Sequence, residues 1–244
     1  MGNRLLSGKS ALVTGGARRI GRAIALALAD EGADVAITFL KSEREAQETA
    51  RALESLGVRA VALDCDVRSE ASVRAAVAAT VERFGRLDVV VNNAAVFDRA
   101  PLDQLSVAAW DVVFETNARG PFLVAREVLP HLKATHGRII NIGSLGGSRP
   151  WADHAHYCSS KAALHMLTQA MAKGFAPEVS VNCVAPGWIE MGESSNAGAR
   201  FATRTPMGRN GTAEEVTQAV LFFATGPSFI TGQILGVDGG LGLV

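Results

Sequence analysis

Short apolar runs alternate with longer helix-like stretches from one end of the 244-residue chain to the other, and few folds accommodate that alternation. The runs fall at residues 10–14, 34–38, 59–63, 87–91, 138–142, 179–184 and 234–237. Between them, residues 20–29, 43–56, 69–84, 107–133, 156–175 and 212–224 carry helical patterns, with Ser69 and Thr212 placed as N-caps. The fourth helical stretch is interrupted or restarted near Gly120-Pro121. Strands apolar on both faces, alternating with helices, predict a doubly wound, seven-stranded parallel sheet with helices on both faces. No linker, composition break or internal repeat divides the chain, so one α/β domain over residues 1–244 is expected.

Composition narrows the function classes. With 48% hydrophobic residues the chain is not disordered, and 24 basic against 24 acidic residues leave no net charge. Nucleic-acid and anionic-membrane partners are therefore not expected, because both draw on excess positive charge. The N-terminus shows no secretory h-region, Leu6 breaks a myristoylation pattern after Gly2, and no apolar run approaches the roughly 20 residues of a spanning helix. Cys65, Cys158 and Cys183 have no paired spacing, which suits reduced core thiols and a cytoplasmic location. His154 and His156 are two residues apart without a credible third ligand, so no metal is expected, and both are read as loop residues at a pocket rim.

Two places carry chemistry. Thr14-Gly15-Gly16-Ala17-Arg18-Arg19-Ile20-Gly21 sits where the first strand hands over to the first helix. Glycine permits a tight turn there, and the free N–H groups of a helix start favour a phosphate. A plain tight turn is the competing reading. After the second strand, Thr38-Phe39-Leu40-Lys41-Ser42 contains no acid to hold ribose hydroxyls; the nearest are Asp34 and Glu43. Arg18, Lys41 and Ser42 would instead suit a 2′-phosphate, which points to NADP(H), unless they are merely solvated surface residues.

These residues resemble the classical short-chain dehydrogenase/reductase family over essentially the whole length, from Leu12 to Gly240, which implies a Rossmann-type fold. The family's first motif, Thr-Gly-x-x-x-Gly-x-Gly, is present with its middle glycine replaced by Arg19, as in the pteridine-reductase branch. The resemblance implies coenzyme contacts at Gly15, Arg19, Ile20 and Gly21. It also implies an adenine-contacting pair at Asp66-Val67 and a cofactor-side motif at Asn92-Asn93-Ala94-Ala95, with Ala95 where the family has glycine. Pro186-Gly187, with Ile189 close behind, matches the segment that approaches the nicotinamide.

Tyr157, the sole tyrosine, and Lys161 share one helix face, about 6 Å apart along the axis. A neighbouring ammonium, together with the positive nicotinamide of an oxidised coenzyme, favours phenolate, so the two are expected to lower the tyrosine pKa from its usual value near 10. Ser144 stands thirteen residues before Tyr157, the family spacing, and Asn117 matches the family's mid-helix asparagine. The resemblance implies that Ser144 polarises a substrate oxygen and Tyr157 protonates it. Lys161 would bind the nicotinamide ribose, and Asn117 would hold a helix kink and a relay water.

The substrate pocket is expected around Phe97, Ser144, Trp151, Trp188 and Met191, with a substrate loop at about 187–211, a stretch that also contains Phe201 and Met207. Arg19 and Phe97 resemble pteridine reductases, whereas Ser144 and the Pro206-Met207-Gly208-Arg209 stretch are closer to 3-oxoacyl-thioester and general carbonyl reductases. The resulting order of expectation is NADPH-dependent reduction of a ketone or 3-oxoacyl group, then reduction of a pterin-like C=N. A non-catalytic NADP(H)-binding sensor comes last. Long apolar helices carrying Asn117 and Tyr157, together with the family analogy, imply a homotetramer.

Overall fold

The computed structural model describes residues 4–192 and 196–244. Its strands are β1 (Ser10–Val13), β2 (Asp34–Phe39), β3 (Ala60–Asp64), β4 (Val89–Asn92), β5 (Arg138–Ile142), β6 (Ser180–Pro186), β7 (Ile189–Glu190), β8 (Gly211–Thr212) and β9 (Ile234–Val237). The helices are α1 (Arg19–Asp30), α2 (Glu43–Ser55), α3 (Glu70–Phe84), α4 (Val107–Phe114), α5 (Gly120–Thr135), α6 (Ala155–Phe175), α7 (Asn196–Arg204) and α8 (Ala213–Thr225).

Seven strands form one parallel sheet in the order β3-β2-β1-β4-β5-β6-β9. The central strands β1 and β4 are buried along their whole length, as the unbroken apolar runs require. One core cluster joins α1, α2 and α8 to one face through Ile24, Leu28, Leu53 and Phe223. The other joins α3, α5 and α6 to the opposite face through Val77, Leu132 and Met171. From β1 the chain winds toward β3, and from β4 it winds toward β9. The direction reverses between β1 and β4, and a crevice opens there at the strands' C-terminal ends.

The fourth helical stretch is interrupted by a π-helical turn over Glu115–Arg119 and restarts at Gly120-Pro121, as expected, with Pro121 in the first turn of α5 where its missing N–H costs nothing. One expectation needs correction. The stretch at 187–211 is not wholly irregular: β7 pairs with β8, and α7 lies between them. Residues 193–195 of that proposed substrate loop lie outside the described residues.

Candidate active site

The turn after β1 is clamped from two sides. Gly15 N–H donates to Thr38 Oγ1 (3.2 Å), and Gly16 N–H donates to the Thr38 carbonyl (3.0 Å). From β4, Asn93 Nδ2 donates to the carbonyls of Thr14 and Gly15 (both 3.0 Å), while the N–H groups of Asn93 and Ala94 donate to Thr14 Oγ1. A Cβ on Gly21 would stand 2.4 Å from Asn93 Nδ2, so the glycine is what lets α1 pack onto the turn. The Asn93 side chain is thus a brace for the phosphate turn rather than a free coenzyme donor.

Helix α1 begins without help. Arg18, at its N-cap, makes no side-chain capping bond, and the first turn holds no acid. An uncapped helix start beside a glycine turn fits a pyrophosphate. Arg19 takes φ +54°, the left-handed region where the family motif has glycine. Arg18, Arg19 and Lys41 are exposed, and among the described residues none has a carboxylate partner. Ser42 occupies the N-cap of α2 with its hydroxyl making no cap bond. Asp34 lies at the opposite end of β2 and is paired with Arg59 (2.6 Å), so it offers nothing to a ribose. The residues present fit a 2′-phosphorylated dinucleotide.

Other expected contacts fall differently. The Asp66 carboxylate grips Arg68 (2.7 Å), which holds it below the usual carboxylate range. Val67 is a core side chain packed on Gly120, so only its backbone is available to a base. Asn92 is buried and bonds Asn141 across to β5 (2.8 Å). Ala95 is exposed beyond it. Ile20 and Ile189 both pack on the first core cluster. Gly187 follows Pro186 and donates to Val237 O (3.0 Å); a Cβ there would meet Asp238 Cα at 2.9 Å. Its glycine therefore answers a packing need against the turn that follows β9.

The chemical residues gather at the ends of β4, β5 and β6. Ser144 caps the short turn Leu145–Gly147, its Oγ accepting from Gly146 N–H (3.0 Å). Tyr157 and Lys161 project from the first turns of α6, as their spacing predicts. Burial pushes the Tyr157 phenol up, and its hydrogen bond with Ser144 partly offsets this. The lysine Nζ lies 5.9 Å from the Tyr157 ring centre and donates to the Ile142 carbonyl (2.7 Å). Only 3% exposed and without a carboxylate partner among the described residues, Lys161 is lowered by burial to about 8.

Asn117 lies in the middle of the π turn with its side chain fully engaged. Oδ1 accepts from Val96 N–H (2.8 Å), and Nδ2 donates to Val96 O (2.9 Å) and Ser160 Oγ (3.0 Å). Ser160 in turn donates to the Tyr157 carbonyl (2.8 Å), which couples the π turn to α6. Ser160 stands three residues after Tyr157, the one sequence signal that would have found it.

Above Tyr157 stands a group of rings. Phe97 is edge-on to Tyr157 (4.8 Å, 84°) and stacked on His154 (4.9 Å, 18°). Trp151 is nearly parallel to Tyr157 (6.2 Å, 10°), and Trp188 stacks on Phe201 (4.6 Å, 14°). Phe201 reaches Trp151 (6.3 Å), joining the two sets. Met191, half-buried after β7, makes none of these ring contacts. His154 joins this ring group by stacking on Phe97, but His156 is not a loop residue: it is fully buried within α6, and neither ring nitrogen has a partner among the described residues.

Comparison with known proteins agrees with this geometry. Residues 15–242 match a family model described as enoyl-(acyl carrier protein) reductase. The chain is 36% identical to the 3-oxoacyl-(acyl-carrier-protein) reductase of Chlamydia muridarum, over 98% of this chain and 99% of that one. It is 39% identical to the cis-4-hydroxycyclohexanecarboxylate dehydrogenase of Sinomonas cyclohexanicum, over 94% and 95%. A gluconate 5-dehydrogenase from Burkholderia cenocepacia, solved with NADP and tartrate, superposes with a TM-score of 0.92 at 35% identity, covering 99% of this chain and 98% of that one. The chain belongs to the classical short-chain dehydrogenase/reductase family of oxidoreductases.

Proposed function

We propose that the protein reduces a carbonyl, of ketone or 3-oxoacyl type, to an alcohol at the expense of NADPH. The observation that carries this reading is Lys161, an ammonium buried beneath the only tyrosine with a single backbone carbonyl for company. Burying an unpaired charge is expensive, and such groups cluster where chemistry uses them.

When bound, the reduced nicotinamide supplies a hydride. Ser144 donates a hydrogen bond to the substrate oxygen and orients the carbonyl. Tyr157 gives that oxygen a proton as the general acid. Lys161 holds the nicotinamide ribose and returns a proton toward the phenol. Asn117 keeps the π turn and the 96–97 segment against α6, next to the relay path. At the other end, the uncapped start of α1 takes the pyrophosphate. Arg18, Arg19, Lys41 and Ser42 select the 2′-phosphate, and the complex of the Burkholderia relative with NADP supports that choice.

A pterin-like C=N is the second reading, favoured by the Phe97 ring standing over the catalytic phenol and by Arg19. We place the protein in the cytoplasm as a homotetramer. Val107, Val112, Phe122 and Met166 leave an exposed apolar surface on α4, α5 and α6, and the three cysteines are free and buried. No helix among the described residues is long and apolar enough to cross a membrane. A spectrophotometric panel of NADPH and NADH against a ketone, an acetoacetyl thioester and a dihydropterin tests the reading. Oxidation of NADPH with the ketone or thioester is the expected result, and turnover of the dihydropterin alone would reverse it.

A further inference from the structure

We infer that His165 is a positioning residue for the reaction, its uncharged ring bracing the turn that carries Ser144 and setting an acceptor nitrogen beside the Lys161 ammonium. The inference rests on the carbonyl-reductase reading of the site. His165 stands four residues after Lys161 on α6, so the two side chains share one face of the helix. Helix α6 packs there on the turn Leu145–Gly147 and on β6. The ring lies against the glycines on either side of Ser144. A Cβ on Gly143 would stand 2.5 Å from His165 Nε2, and one on Gly147 would stand 2.5 Å from its Cε1. Gly143 is buried and Gly147 half-buried, so the ring runs from the interior toward the surface, with Nδ1 on the Gly147 side.

Two further observations give the ring a chemical part. Lys161 Nζ donates to the Ile142 carbonyl, and His165 Nε2 lies against Gly143, the other half of the same peptide unit. Nε2 is buried and has no hydrogen-bond partner among the described residues. Leaving a buried acceptor bare is costly, and an ammonium with donors to spare satisfies it, directly or through one water. The ammonium also sets the tautomer: it favours the proton on Nδ1 and leaves Nε2 as the acceptor. Titratable groups face the ring from two elements. Lys161 comes from α6, and Cys183 comes from β6, its Sγ 2.6 Å from the same Gly143 Cβ position. Burial raises Cys183 to about 12, so it stays an uncharged thiol, and the turn Leu145–Gly147 brings no titratable group. Burial and the Lys161 charge hold the imidazole below its usual 6.5. An imidazolium would put a second cation on the peptide that Lys161 grips, and the repulsion would displace the turn that aims Ser144 at the substrate oxygen. His165 itself gives up no proton in the reaction; the substrate oxygen takes its proton from Tyr157.

The test measures kcat and KM with NADPH and a ketone between about pH 5 and 8 in the wild type, His165→Leu and His165→Gln. The wild-type kcat is expected to fall on the acid side with a midpoint below 6.5. Leucine removes the acceptor, and a loss of roughly tenfold in kcat is expected, the worth of one hydrogen bond to a charged group, with little change in the KM for NADPH. Glutamine sets an uncharged amide where Nε2 stands, so it is expected to recover most of that loss and to abolish the acid limb. A flat wild-type profile, a leucine variant with the wild-type kcat, or a glutamine variant no faster than leucine overturns the inference and leaves carbonyl reduction standing. So does an acid limb that survives in His165→Gln, which would belong to His154, another imidazole that burial lowers. Failure of the wild type to reduce any carbonyl removes the underlying reading and the inference together. The ring is read independently of turnover by nitrogen NMR of the histidine side chains in the coenzyme-free protein. At neutral pH, His165 is expected to carry its proton on Nδ1 with Nε2 bare; an imidazolium, or a proton on Nε2, also overturns the inference.

Discussion

Lys161 shows how much a single side chain can cost the fold. Its pKa falls from 10.5 unfolded to about 8 folded because burial penalises the charge. Below pH 8 both states are protonated and the full penalty applies. Between about pH 8 and 10.5 the unfolded chain holds more protons, so the stability contributed by this residue rises with pH; above that window the penalty is gone. The shift corresponds to about 3 kcal/mol, from which the lost bond to Ile142 O subtracts about 1 kcal/mol. Lys161→Met is therefore expected to be inactive yet more stable at pH 7 by about 2 kcal/mol. Urea midpoints measured at neutral and alkaline pH should show that gain shrinking as pH rises.

Arg19 poses the opposite bargain, since its left-handed backbone is strained and its guanidinium is useful. Arg19→Gly should relieve about 1 kcal/mol of strain and raise Tm, while raising the KM for NADPH several-fold and leaving that for NADH nearly unchanged. An unchanged KM for NADPH would remove Arg19 from the phosphate site.

Among the elements, the π turn between α4 and α5 matters most to the site. The sequence shows it as a break near Gly120-Pro121, and the family resemblance places a helix kink at Asn117, within that turn. A proline fits the first turn of a helix, so Pro121 marks where α5 begins and not where the helix is distorted. The distortion is held by Asn117, whose amide satisfies both backbone groups of Val96. Asn117→Ala would leave these polar groups unpaired. A loss of about 2 kcal/mol in urea unfolding is expected, together with a fall in kcat larger than any change in KM, because the misplaced segment carries no coenzyme phosphate contact. The ladder of β7 and β8 and helix α7 were not legible. A two-residue strand has no period, and the α7 sequence Asn196-Ala197-Gly198-Ala199-Arg200-Phe201 dilutes a helical pattern with glycine.

The sheet was legible because its central strands are covered on both faces by helices and read as unbroken apolar runs, whereas the edge strands β3 and β9 are only partly covered. The proposed catalytic residues could be picked out because Ser144 follows a strand end and Tyr157 and Lys161 share a helix face, where spacing reports position. The electrostatics were not legible, since spacing does not report where the Lys161 ammonium points, and it donates to the Ile142 carbonyl. Nor did spacing reveal that Asn93 and Gly187 serve the packing of the turns after β1 and β9. The exposed apolar residues on α4, α5 and α6 predict assembly. Sedimentation should give a species near four times 25.5 kDa, and Phe122→Glu should reduce it to dimers or monomers.

The most direct measurement is NADPH consumption with a ketone substrate by the wild type and by Tyr157→Phe, which deletes one oxygen from a side chain packed among rings. Steady turnover by the wild type and a loss of about 10²–10⁴-fold in kcat for the variant are expected, with the coenzyme still bound. A variant that keeps the wild-type rate would contradict the assignment of that phenol as the proton donor.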